Sequence, residues 1–177
     1  MKKLITALFV ALAIIQAAPV AAQDEAAIQL ALANPIQLAD ETAAVRGLRF
    51  SLLYGRNASV TGFDFGLVSQ TTGDQLGVQL GAVGLVDGNF EGLQATWVNI
   101  VRGEMSGVQT GIFSSTERGH GLQWSVVNNA RNYRGLQIGL VNYAERIHGV
   151  QLGLVNIIRE GGMFPIFPLV NWSFDSN

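Results

Sequence analysis

His120 and His148 each stand directly before a glycine that opens a repeated phrase, Gly121 and Gly149. Imidazoles are metal ligands, and a zinc site needs their nitrogens about 2 Å from one metal. Arg134 holds the same place in the copy between them. If successive copies stack as strands, the two rings stand two layers apart, about 9–10 Å. That spacing reads as two exposed turn histidines and not as a metal site. Ser114-Ser115, Glu117 and His120 put hydroxyl, carboxylate and imidazole in one short stretch. No nucleophile elbow surrounds the serines, and a repeat turn does not build an oxyanion hole. Acidic residues come one or two per repeat, often beside arginine, as in Glu117-Arg118, Glu145-Arg146 and Arg159-Glu160. They read as ion pairs within or between layers, each worth little at a surface. The glycine-rich phrases lack the lysine of a phosphate loop and the GGxGxD pattern of a calcium β-roll. The expectation is a protein that is not an enzyme, with no catalytic, metal or cofactor residues.

The elements that would position any site begin after an N-terminal leader. Met1-Lys2-Lys3 is a short positive stretch, Leu4 to Ile15 is apolar, and Val20-Ala21-Ala22 offers small residues for cleavage before Gln23. Residues 1–22 read as a secretory signal peptide, too short and too soon followed by polar residues for a membrane span. No cysteine follows, so a lipoprotein anchor is excluded and no disulfide stabilises the exported chain. Lys2 and Lys3 are the only lysines, and with 11 basic against 13 acidic residues there is no basic footprint for nucleic acid or anionic lipid. Hydrophobic residues make up 49% of the chain, yet no later apolar run reaches the length of a spanning helix.

Repeats dominate the remainder. GLQIGLVNYAERIH, beginning at Gly135, is followed at once by GVQLGLVNIIREGG. The same phrase opens at Gly121, Gly107, Gly92, Gly77, Gly62 and Gly47, spaced 15 residues apart for the first four steps and 14 for the last three. An altered ninth copy starts at Phe164. Counting each glycine as the first position, the second, fourth and sixth are mostly apolar. The third is polar, six times glutamine (Gln79, Gln94, Gln109, Gln123, Gln137, Gln151), and the fifth is small. That period of two is a half-buried strand. It predicts apolar columns inside, Trp97 and Trp124 among them, and the glutamines as a candidate outer binding face. An aspartate at Leu136 or Leu152 would then bury an unpaired charge.

The alternation breaks at Leu140-Val141, Leu154-Val155 and Val126-Val127, which implies a bend. Asparagine follows at a corner (Asn99, Asn128, Asn142, Asn156, with Asn171 in the ninth copy), where its tolerance of turn geometry suits it. The rest of each repeat carries the charges and reads as the closing loop.

Two all-β architectures fit. In a β-solenoid each repeat is one coil, and identical residues stack into Gln and Asn amide ladders. In a small up-and-down β-barrel each repeat is one antiparallel strand of an outer-membrane protein. Clean alternation lasts about five residues, against the 9–11 of a spanning barrel strand, and Ala95 and Thr110 interrupt the would-be lipid face. The solenoid of 14–15-residue coils is the expected fold, the barrel its alternative. Phe164, Pro165, Phe167, Pro168 and Trp172 form the expected C-terminal cap, since prolines remove ladder donors. The expected layout is residues 23–46 as an N-terminal segment or cap, 47–163 as tandem repeats, and 164–177 as the capping repeat.

With these residues assembled, the chain resembles the exported bacterial surface-repeat proteins first named from leptospiral sequences, which carry tandem G-[LV]-Q-[IL]-G-L-V-N units and a closing F-P-x-F-P-x-V-N-x-S-F. Gly135 to Asn142, Gly149 to Asn156 and Phe164 to Phe174 match those patterns. Pro35-Ile36-Gln37-Leu38 and Arg46 to Gly55 are similar to the family as well, while Thr96-Trp97 and Ser114-Ser115 depart from it. The resemblance implies an envelope or extracellular location and no established activity, and with the signal peptide the expected place is the periplasm, outer membrane or cell surface of a bacterium. Residues and resemblance together predict a non-catalytic structural or binding protein of the bacterial envelope. Its partner would be an envelope polymer, another protein or a second copy; nucleic acid is not expected, and a membrane only if the chain is a barrel.

Overall fold

The computed structural model describes residues 25–174, so the signal-peptide reading of residues 1–22 lies outside the described residues. The regular elements form one sheet wound into stacked coils: β1 (Glu25–Ala33), β2 (Ile36–Gln37), β3 (Ala44–Asn57), β4 (Ser59–Thr71), β5 (Gln75–Val86), β6 (Phe90–Ile138), β7 (Val141–Glu160) and β8 (Ile166–Ser173). From β1 and β3 through β7, sequence neighbours pair in parallel, with glycine over glycine and glutamine over glutamine, as in Gly62↔Gly77, Gln79↔Gln94 and Gln137↔Gln151. A meander would pair its neighbours antiparallel. The fold is therefore a β-solenoid of about nine turns, and the barrel alternative is excluded. Strand β6 runs unbroken through several coils. Coils are numbered here by their opening glycine, coil 1 at Gly47 to coil 8 at Gly149.

The opening glycines explain the period. From Gly47 to Gly149 all eight have φ between 120° and 153°, a region closed to ordinary side chains but open to glycine. A Cβ on Gly135 would also run into the carbonyl oxygen of Gly121 in the coil below. The Leu-Val doublets fall at a corner, and both members face outward: Leu154 is 62% exposed and Val155 38%.

The inside and the outside of the strand are the reverse of the sequence expectation. All six repeat glutamines are fully buried, whereas Trp97 and Trp124 are 64% and 61% exposed. An alternating pattern assigns residues to two faces without saying which is inside, and hydrophobicity normally decides it. Here amide pairing decides it. Five of the six donate from Nε2 to the Oε1 of the glutamine in the preceding coil: Gln151 to Gln137 (2.7 Å), Gln137 to Gln123 (2.6 Å), Gln123 to Gln109 (2.8 Å), Gln109 to Gln94 (2.8 Å) and Gln94 to Gln79 (2.6 Å). A buried amide that keeps its hydrogen bonds escapes the desolvation penalty. The glutamines cross the interior to the opposite strand, where Gln151 also donates to the Ile157 carbonyl.

The asparagine column forms a second buried ladder of opposite polarity, Asn128 to Asn142 (2.7 Å) and Asn142 to Asn156 (2.8 Å). Asn99 instead donates to Ser114, and Asn171 to the Phe164 carbonyl. The remaining core comes from the segment read as a closing loop. Val86, Phe90, Val101, Met105, Ala130, Tyr133, Ala144, Ile147 and Ile158 form one buried apolar cluster. Its trace in the sequence is a pair of residues in the connecting segment, Val86–Phe90 and Val101–Met105 four apart in the longer coils, Ala130–Tyr133 and Ala144–Ile147 three apart in the shorter.

Both ends differ from the repeats. Residues 25–33, within the segment expected as an atypical first coil or cap, form a leading coil: β1 pairs in parallel with β3 and sets Gln29 opposite Arg49. Strand β2 then folds back antiparallel on β1. At the other end β8 runs antiparallel to β7, so the ninth copy reverses direction instead of adding a coil, and Asn171 lies opposite Gln151, not Asn156. Phe164 and Phe167 stack at 4.5 Å but remain more than a third exposed, Pro165 and Pro168 are exposed, and Trp172 is half-buried. The prolines lie in this reversed terminal segment. Its aromatics cover the core only in part.

Candidate functional site

The residues that looked most chemical are held in structural roles. Ser114 is fully buried; its Oγ lies 2.6 Å from Ser125 Oγ and accepts from Asn99. Ser115 Oγ accepts from Asn129 at 2.9 Å. His120 and His148 are exposed, the latter edge-on to Phe174. Among the described residues, no three His, Cys, Asp or Glu side chains converge as metal ligands. The charged turn residues pair between coils, Arg131 with Glu117 (2.9 Å) and Glu145 (3.4 Å), and Arg146 with Glu160 (2.9 Å). All are exposed, so each contributes at most about 1 kcal/mol.

One ion pair is different. Arg49 and Asp64 occupy the glutamine column in coils 1 and 2 and are fully buried. Arg49 donates from Nε and Nη2 to the two oxygens of Asp64, at 2.8 and 2.6 Å. Asp64 also accepts from Ser69, Gln75 and Gln79. The whole glutamine ladder points its donors toward this carboxylate. The pair therefore ends the ladder, and it is sealed from solvent.

The unexplained surface is the outer side of positions two, four, six and seven. The glutamine columns predicted to form a binding face cannot do so, because they line the interior. The apolar columns replace them: Phe65, Leu67, Ile112, Leu140 and Leu154 are each at least half exposed, beside Trp97 and Trp124. No charged residue falls in these columns from coil 1 to coil 8, and Thr110 is the polar member of the fourth. From the leading coil, where Leu30, Leu32 and Ile36 line it, to coil 4 this surface sinks into a groove of about 760 Å³. Gly66, Gly81 and Ala82 form its floor, Phe50, Phe65 and Leu67 its sides, and Trp97 closes one end. The floor is low because the fifth position turns inward, as the buried Ser51 shows, and the sixth position of coil 3 is only alanine, so Phe65 and Leu67 stand up beside it. The sequence signal for this face was the absence of charge in four columns. Hydrophobicity had assigned those columns to the core.

The fold and this face define a β-solenoid with a polar-laddered interior and an apolar outer side. No family model, curated protein or solved structure matches the chain.

Proposed function

We propose that the protein is an exported, non-catalytic structural or binding unit of the bacterial cell envelope that acts through its apolar outer face. The exposure of the fourth- and sixth-position apolar columns, flanked by the mostly half-buried second and seventh and continuous along the coils, carries this reading. Contiguous apolar patches beyond about 300–600 Å² on soluble proteins mark contact surfaces. The repeat phrases, the closing Phe-Pro segment and the signal-like N-terminus support export and an envelope location. The titratable side chains lie outside the face, at the turns or sealed in the ladder, which favours binding over catalysis.

The reading is tested by expressing the whole chain in a bacterium and fractionating the cells. The expected result is a processed chain retained with envelope material. Substituting Trp97→Ser and Leu140→Ser should release it while leaving its circular dichroism unchanged, because both side chains are exposed. An unprocessed cytosolic chain would overturn export, and full retention of the double variant would overturn the face.

A further inference from the structure

The occupant of the apolar face follows from its relief. The geometry points to a second copy of this chain, packed face to face about a two-fold axis that crosses coil 5. This rests on the apolar face being the contact surface. With the axis in the plane of the contact and perpendicular to the solenoid axis, the two solenoids run antiparallel. Coil 4 then meets coil 6 and coil 3 meets coil 7, and like positions lie opposite one another. Trp124, large and 61% exposed, comes over Ala95 of the second copy, and Leu140 over Ala82, the smallest residue of the sixth column and part of the groove floor. Thr110, the polar residue of the fourth column, meets its own copy on the axis.

At these two contacts a large side chain falls on a small one, and Leu140 enters the coil-3 end of the groove at Ala82; at the rim of the overlap Leu154 meets Leu67. Interdigitation of this kind fills space at interior density. A lipid surface, being fluid, needs neither a hollow nor a matching ridge.

Size and charge agree with this occupant. Seven overlapping coils at about 4.8 Å and six strand positions at about 3.3 Å give a contact of about 34 by 20 Å. That is on the order of 700 Å² per copy, close to the ~800 Å² per partner of a stable complex. The face carries no charge in its four columns, so nothing repels a second copy. The inter-coil ion pairs of the turn edge remain in solvent.

The test uses the exported chain in sedimentation equilibrium from about 0.1 to 50 μM, a range that brackets micromolar dissociation constants. The expected result is a dimer. Ala95→Trp and Trp124→Ala should each weaken it at least tenfold, and the double variant, which exchanges large for small across both copies of the contact, should recover most of the loss. The chain has no cysteine, so Thr110→Cys alone should yield a crosslinked dimer with a bismaleimide spanning about 10 Å, the spacing of packed sheets. Circular dichroism verifies that each variant is folded, and Leu140→Arg, on an exposed side chain, serves as a second disrupting variant.

A monomer at 50 μM would overturn the dimer, as would a dimer indifferent to Leu140→Arg or a double variant no better than its parents. A monomer that binds phosphatidylethanolamine–phosphatidylglycerol vesicles through the same face would assign that face to lipid. Failure of the dimer is separable from failure of the face itself: in the first case the face variants still lose envelope retention, and in the second they do not.

Discussion

Asp64 accepts hydrogen bonds from Arg49, Ser69, Gln75 and Gln79 and is itself fully buried. Such a pair contributes little net stability while intact, but removing one partner strands a charge in the interior. Asp64→Asn should therefore lower unfolding stability by about 3–5 kcal/mol in denaturant titrations. Arg49→Gln combined with Asp64→Gln would extend the glutamine ladder by two rungs and should restore most of that loss. A double variant as unstable as Asp64→Asn would refute the ladder as the organising contact. Tyr133 is the converse case. Its hydroxyl is buried with no partner, and burial pushes the phenol far above its ordinary value of 10.0. A folded-state pKa above the unfolded one leaves its contribution to stability intact below about pH 10 and removes it as pH rises beyond. Tyr133→Phe should thus keep or raise the neutral-pH stability, by up to about 1 kcal/mol, and shift alkaline unfolding to higher pH. A clear loss of stability at pH 7 would mean the hydroxyl has a partner.

A coil is the repeating element, and its ladders make neighbouring coils interdependent. Gln109 both donates to Gln94 and accepts from Gln123. Gln109→Leu leaves one buried acceptor and one buried donor without partners, each costing about 1–3 kcal/mol. At the C-terminal end the Oε1 of Gln151 is already unpartnered, because the antiparallel β8 supplies no glutamine above it. Gln151→Leu strands only the Gln137 oxygen and the Ile157 carbonyl, and both are acceptors. The middle substitution should lower the denaturation midpoint more than the end one; equal effects would argue against a continuous ladder. The coil was largely legible in the sequence: the glycine period, the doublet corner and the asparagine column each mark a backbone requirement. The buried alanine, isoleucine and tyrosine of the connecting segment were not, because two core residues among charged neighbours look like any loop. The terminal reversal was hidden too, since β8 keeps the repeat's wording while running the other way.

Across the whole molecule, charge gathers at the turn edge and apolar surface on the opposite side. This changes what a substitution on the face should do. An aspartate at Leu152, expected from the sequence to bury a charge, falls on a side chain 38% exposed. Leu152→Asp should leave the chain folded, with stability within about 0.5–1 kcal/mol of the parent, as surface substitutions do. Its effect should appear as weaker self-association. Failure to accumulate as a folded monomer or dimer would return that column to the core.

By itself the sequence determined the repeat, its strand character, the stacking of like residues and the places where only glycine fits. These are local backbone and periodicity constraints, legible wherever identical residues recur at a fixed spacing. Only the tertiary structure decided which side of the strand is inside. An alternating strand has two faces, and its free energy depends on what each face meets: glutamines one coil apart satisfy one another, and that pairing turned the polar column inward and left the apolar columns to find a partner outside.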